Sequence, residues 1–539
     1  PGPEGDGGYA VINYREIDPR YGDMDDFKRL LKEAHDRGLR VYIDFVIAHT
    51  ASEHEWFEKS CRGEEPYKDY YVWADPTEWL GQRATPNNWK SVFGGSAWTW
   101  HEGRQQYYMH HFLNTQPKLN LNKKEVQDAV KKEMQFWLDL GADGFRLDAL
   151  PFANHDPELK NNPWMYGVWP NVHEDWTQQR FDYSMCQPET IELVARIRAM
   201  MDTHSDKRTT LGESIAGPVG GLGSLDIAPT YVDPDKGLDM CYTDATLAFH
   251  YDTGAEKLKE HVRYIEKIFP TGGHCYSISN HDSVRFATSM VSTVAPEHRA
   301  TALKQMMKLL ATLPGSISLY QGEELGLPQA HIPSDIPYNR MRDPVSVTRG
   351  PGASRDGSRT PMPWKENAPN AGFSTAPPED LYLPIPESHL DKSVEAQEND
   401  PHSMLNFMRD MLAWRKSQPA LSTGRTIVLD TPAPVLAFVR RCGEQTLLCA
   451  YNLSENSVSL NMANYLGEDL RAELGIAPDA ITHMPPYTPH TVDSRAAEAA
   501  VLVRAWKKLE TEAETDAVPP PRCSDCFPGS GPAHCPSPC

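Results

Sequence analysis

Helix-periodic segments alternate with short β-prone runs along this chain, and no hairpin turn joins a helix to the strand after it. That alternation restricts the fold more than any other feature. Over residues 23–38 the apolar side chains Phe27, Leu30, Leu31 and Ala34 recur at helical spacing. Asp23, Asp25 and Asp26 stand at the positive helix end, and Gly38 where a C-cap belongs. Residues 40–46 follow as a nearly continuous β-prone run, the pattern of a parallel strand covered on both faces. The order then repeats, with helices over 124–140, 190–204, 253–268 and 295–313 ahead of strands over 144–147, 210–213, 274–279 and 316–320. Such repetition predicts right-handed βαβ units, and so an α/β parallel sheet or barrel. No glycine-rich phosphate fingerprint follows a strand, which favours a (β/α)8-type TIM barrel over an open nucleotide-binding sheet.

The connecting segments are unequal. Residues 50–117 hold Trp56, Tyr67, Tyr70, Tyr71, Trp73, Trp79, Trp89, Trp98 and Trp100. They predict a subdomain inserted into a barrel made of residues 1–49 and 118–419, and an insert of that length is usually functional. Residues 328–402 are rich in Pro, Gly and Asp and read as a lid-like excursion before a helix near 404–417. Short runs at 426–429, 435–439 and 445–451 predict a C-terminal antiparallel β domain over residues 420–505. Residues 506–539 read as a disordered tail. Its Cys523, Cys526, His534, Cys535 and Cys539 are spaced too irregularly to predict a zinc site.

Composition narrows the partners. The net charge of -21 makes nucleic acid and anionic membrane surfaces unexpected partners, while neutral ligands remain open. No run of about 18 apolar residues is present, and the opening residues lack the basic and apolar regions of a signal peptide. Cys61, Cys186, Cys241, Cys275, Cys442 and Cys449 are scattered without metal-ligand spacing, which reads as unpaired thiols in a reducing compartment. A cytoplasmic location is therefore expected, and the oligomeric state is left open.

In a parallel barrel, functional side chains sit at the C-terminal strand ends, where the βα loops converge. Four places fit: Asp44 and His49, Arg146 and Asp148, Glu213, and the trio Asn280, His281 and Asp282. A single aspartate after a strand is usually a loop cap or a solvated acid. Four such coincidences on separate strands point to chemistry, and paired carboxylates beside an aromatic insert suit glycosidic bond cleavage.

The motifs Gly144-Phe145-Arg146-Leu147-Asp148-Ala149, Leu211-Gly212-Glu213-Ser214 and Ser279-Asn280-His281-Asp282 resemble, in order, the signature regions of the α-amylase superfamily, glycoside hydrolase family 13. Residues 44–50 resemble the region at the third barrel strand. Residues 321–326 and 355–364 are similar to the α-glucosidase and oligo-1,6-glucosidase branch. The resemblance implies that Asp148 is the nucleophile of a retaining mechanism, Glu213 the general acid/base and Asp282 a stabilising carboxylate. Arg146, on the same strand face as Asp148, is expected to keep the nucleophile ionised, while nearby carboxylates keep Glu213 protonated. His49, His281 and Arg359 match positions that hydrogen-bond substrate hydroxyls, and Tyr9 and Asp44 are expected to join them. Ala149, after the nucleophile, favours α-1,4 linkages. The expected activity is that of an α-glucosidase acting on maltose and short malto-oligosaccharides, with transfer as a side reaction. A glucosyltransferase or isomerase of the trehalose synthase kind is the alternative, as is a non-catalytic sugar-binding descendant. A small α-glucoside is the expected partner, with no cofactor and no metal.

The sequence also departs from that pattern. Ala10 and Asn13 stand where aspartates are usual, Ala48 replaces an asparagine, and Lys118 replaces an aspartate. Relatives carry a strand, a helix and a second strand ahead of the position of Gly8. The expectation is therefore a fragment whose barrel lacks its first two strands.

Overall fold

Asp23 accepts hydrogen bonds from the N–H groups of Asp25 and Asp26, and Asp26 reaches back to the Asp23 N–H. This reciprocal cap starts the helix Met24–Asp36. The computed structural model describes residues 7–165, 178–204, 206–215, 224–244, 251–270, 272–331, 342–349 and 353–495. Parallel strands follow: β1 (Tyr42–Val46), β2 (Gly144–Asp148), β3 (Thr209–Glu213), β4 (Met240–Tyr242), β5 (Cys275–Tyr276) and β6 (Ser316–Ile317). β1 to β4 are neighbours in sequence order, β5 pairs with β6, and a parallel bridge from Cys241 to His274 joins the two groups. Helices Lys124–Leu140, Glu189–Met201, Ser224–Tyr231, Gly254–Ile268 and Arg299–Thr312 separate consecutive strands.

Among the described residues no strand precedes β1, and the six parallel strands are those expected of a (β/α)8-type barrel without its first two. β1 therefore lies at an edge, and Tyr42 is 42% exposed. Coverage of both faces, expected from the run, is reached only at Phe45 and Val46. Helical periodicity also fails to reveal the Ser224–Tyr231 unit. That helix has eight residues with Pro229 inside it, and β4 has three.

Two glycines fix the approach to the strand that matters most. Gly141 caps the Lys124–Leu140 helix in the left-handed conformation (φ 111°). Gly144 lies so close to β3 that a Cβ would meet the Thr209 carbonyl oxygen at 1.9 Å. The interior is filled by Phe45, Ile47, Phe145, Leu147, Tyr276 and Ile278, with Phe45 edge-on to Phe145 at 5.3 Å.

Between β1 and β2 lies an aromatic insert with a three-stranded antiparallel sheet, Trp73–Ala74, Gln106–Met109 and Trp98–His101. The C-terminal region is an antiparallel sheet ordered Arg425–Val428, Val435–Cys442, Gln445–Asn452 and Pro489–Asp493. It is less separate than the sequence suggests. Leu436, Phe438, Leu447, Cys449 and Tyr451 belong to the same buried cluster as the barrel interior, and Gln305 donates to the Asn452 carbonyl at 2.9 Å. The tail expectation, with its cysteines, lies outside the described residues. Among them, no helix is long and apolar enough to cross a membrane.

Candidate active site

Strand register assembles the site. Asp44 on β1 lies opposite Arg146 on β2, and Val46 lies opposite Asp148; on the next pair Glu213 lies opposite Tyr242. Arg146 and Asp148 are two residues apart and share a face. The Arg146 guanidinium then contacts side chains on four strands, its own and three others. Its Nη1 donates to Asp44 Oδ1 at 2.8 Å and to Asp148 Oδ1 at 2.7 Å. Its Nη2 lies 2.7 Å from Glu213 Oε2 and donates to the Tyr242 hydroxyl. The rings of Tyr9 and Tyr242 flank it at 5.8 and 5.6 Å.

Glu213 is held a second time. Ala149, directly after Asp148, is left-handed (φ 45°), and its N–H donates to Glu213 Oε2 at 3.0 Å. With Oε2 accepting from two donors, Oε1 is the oxygen able to carry a proton. Burial pushes the Asp148 carboxyl well above the usual carboxylate range; Arg146 pulls the other way, and the charges of Glu213 and Asp44 add to burial. Arg146 favours the ionised form of Asp148, as expected, and burial opposes it. The guanidinium is in contact, but removal of water outweighs it.

This has a pH consequence. The nucleophile's role expected of Asp148 requires it deprotonated, so a raised pKa means that activity is lost as pH falls through that raised value. The acidic limb of kcat/KM is expected at a higher pH than the ~4 of a free aspartate. A limb at pH ~4 or below in a pH–rate profile would contradict it.

Asp282 has the opposite environment. Arg355 Nη1 donates to its Oδ1 at 2.6 Å and Arg359 Nη2 to the same oxygen at 2.7 Å, with His281 Nε2 at 3.4 Å from Oδ2. Burial works against its charged form, but the neighbouring cations outweigh burial and hold the carboxyl below its usual range. Among those cations His281 has the largest effect, followed by Arg355 and Arg359, while burial in turn disfavours the charged form of His281. Tyr9 links the two halves: its hydroxyl donates to Asp44 Oδ2 at 2.8 Å and contacts His281 Nε2 at 2.9 Å, and the two rings stack.

The structure thus brings Tyr9, Asp44, Arg146, Asp148, Glu213, His281, Asp282 and Arg359 together. His49 joins them only through backbone. Its Nε2 donates to the Tyr9 carbonyl at 2.9 Å, its Nδ1 is buried without a partner, and burial lowers its pKa to about 4. Sequence reasoning misses Tyr242 because β4 is too short to register. It also misses Arg355, which sits in the same motif as Arg359, and Asp343, whose carboxylate grips Arg355 at 2.8 Å. Among the described residues no three His, Cys, Asp or Glu side chains are grouped to hold a metal ion.

Comparison with known proteins identifies the family. Residues 2–424 match the family described as "Alpha amylase, catalytic domain". A probable alpha-glucosidase of Rhizobium meliloti is 39% identical over 465 residues, covering 85% of this chain and 81% of that protein. An oligo-1,6-glucosidase of Heyndrickxia coagulans is 30% identical over 495 residues, covering 85% and 84%. Among solved structures, the alpha-glucosyl transfer enzyme XgtA superposes with a TM-score of 0.80 at 38% identity, covering 90% of this chain and 89% of that one. Bacillus licheniformis trehalose-6-phosphate hydrolase gives 0.74 at 26% identity, covering 92% and 90%.

Proposed function

The chain belongs to the α-amylase family of glycoside hydrolases, and from that premise we propose that it is a retaining α-glucosidase. Its substrates are maltose and short malto-oligosaccharides, from which it removes terminal α-1,4-linked glucose. The observation that carries this reading is the single guanidinium of Arg146 in contact with carboxylates on two adjacent strands, Asp148 and Glu213. A retaining enzyme needs its two carboxyls about 5 to 5.5 Å apart, and two acids gripping one guanidinium suit that spacing.

In the first step Asp148 attacks the anomeric carbon while Glu213 protonates the departing oxygen from Oε1. A covalent glycosyl ester forms on Asp148. In the second step Glu213, now a base, removes a proton from water, and the ester is cleaved with net retention. Asp282, kept ionised by Arg355 and Arg359, grips ring hydroxyls and stabilises the positive charge that develops at the sugar. Tyr9, Asp44, His281 and Arg359 complete the sugar contacts, and His49 acts by fixing the Tyr9 backbone.

Ala149 supports the α-1,4 preference. It packs among Ala48, Phe152, Phe181 and Met185, and its left-handed backbone disfavours a β-branched residue. The likeness to a glucosyl transfer enzyme favours a second reading, in which a sugar hydroxyl replaces water in the second step.

Product analysis after incubation with maltose, isomaltose or trehalose tests the substrate assignment. Glucose is expected from maltose at a rate well above that from isomaltose. Trehalose accumulating from maltose would overturn hydrolysis as the main reaction, and faster release from isomaltose would overturn the linkage assignment.

A further inference from the structure

Lys118 carries an amino group into the interior with no carboxylate to meet it. The residue is 1% exposed, and its Nζ donates to two backbone carbonyls, Phe152 O at 2.6 Å and Ala153 O at 2.8 Å. Among the described residues no acidic side chain lies within ion-pair distance of it. Its titratable neighbours are His49, His111 and His155. Each is buried, and burial first, with the Lys118 charge adding to it, disfavours its protonated form.

The position of those two carbonyls gives the contact its meaning. They close the short turn Leu150–Phe152, which begins right after Asp148 and Ala149. Such a turn leaves its last carbonyls without donors of its own, and a lysine at that end supplies them. The Lys118 backbone is fixed elsewhere. It bridges to His49 beyond β1, its N–H donates to Met109 O at 2.9 Å, and Leu119 N–H donates to Ala48 O at 2.9 Å. One residue therefore pins the turn after β2 to the end of β1 and to the aromatic insert. At the near end of that turn, the Ala149 N–H is bound to Glu213 Oε2.

We propose that Lys118 is a positioning residue: by holding residues 149–153 it sets the Ala149 N–H, and so aims Glu213 at the departing oxygen. The proposal rests on the assignment of Glu213 as general acid. It also gives Lys118 a role distinct from that of Arg146, which touches the carboxylates themselves.

The test compares two substrates by kcat/KM, which reports the step that cleaves the glycosidic bond. Maltose needs its leaving oxygen protonated, whereas 2,4-dinitrophenyl α-glucoside departs with little help. Lys118→Met is expected to lose about 30-fold or more on maltose, part of the 10² to 10⁴-fold that a general acid contributes, and about 3-fold or less on the activated substrate. Lys118→Arg, which keeps charge and donors, is expected to recover most of the maltose rate. Equal loss on both substrates, or no loss on maltose, would overturn the proposal. If Lys118→Met does not fold, Lys118→Gln is read by the same two outcomes. Glu213→Gln run alongside separates the two levels of inference. Should it spare maltose, the acid assignment and the Lys118 proposal both fall. Should it show the selective loss while Lys118→Met does not, only the Lys118 proposal falls.

Discussion

Replacing Asp148 by asparagine is expected to lower kcat/KM for 4-nitrophenyl α-glucoside by about 10⁴-fold or more, with the fold intact. The amide keeps the shape and the contact to Arg146 but cannot form the glycosyl ester. Glu213→Gln differs in kind. The loss should be about 10² to 10⁴-fold on maltose, where the leaving oxygen must be protonated, and much smaller on an activated aryl glucoside. Two catalytic carboxylates with different duties therefore give two signatures, and steady-state kinetics on both substrates separate them. Equal losses for Glu213→Gln on both substrates would mean that Glu213 is not the acid.

Arg146→Ala is expected to be nearly as damaging, and for stability as well as rate. The guanidinium contacts Asp44, Asp148, Glu213 and the Tyr242 hydroxyl, and the side chains of Asp148 and Glu213 are only 10% and 9% exposed. Removing one partner of a buried ion pair costs about 3 to 5 kcal/mol, because the remaining charge has neither water nor a partner. Here Asp148 has an escape, since it can take up a proton. Without Arg146 its raised pKa rises further, so the penalty is largest where Asp148 must be charged and shrinks as pH falls through its raised value. Thermal unfolding should show a Tm deficit at pH 7 that narrows as the pH is lowered, together with a fall in kcat/KM of about 10²-fold or more. Arg146→Lys should recover little, because one ammonium cannot bridge three carboxylates in the geometry of a planar fork. A Tm deficit independent of pH would show that packing, not charge, is what Arg146 supplies.

How far the sequence reached can be judged residue by residue. Asp148 and Glu213 were legible because a parallel strand exposes its last residue to the mouth of the barrel, and Arg146 because residues two apart share a face. The alternation of helix and strand held at β1, β2, β3, β5 and β6. It failed at β4, where three residues and a proline-containing helix leave no periodic signal, and Tyr242 was lost with that strand. Arg355 was hidden for a different reason. Local sequence cannot say which of two arginines four residues apart will reach Asp282, and in the folded chain both do. The union of the C-terminal sheet with the barrel core was illegible because a strand buried on both faces reads the same whichever neighbour covers it. The burial that opposes Arg146 at Asp148 was not legible, because charge proximity is visible in a motif, whereas burial is a property of the assembled site.

The central claim is that Asp148 forms a covalent bond to glucose, and intercepting that bond tests it most directly. A 5-fluoro-α-glucosyl fluoride reacts fast in the first step and slowly in the second, so the intermediate accumulates. Mass spectrometry of the digested protein should then find the added sugar on the peptide containing Asp148, and on none after Asp148→Asn. Turnover of 4-nitrophenyl α-glucoside with no labelled peptide, or with the label on another carboxylate, would contradict the account.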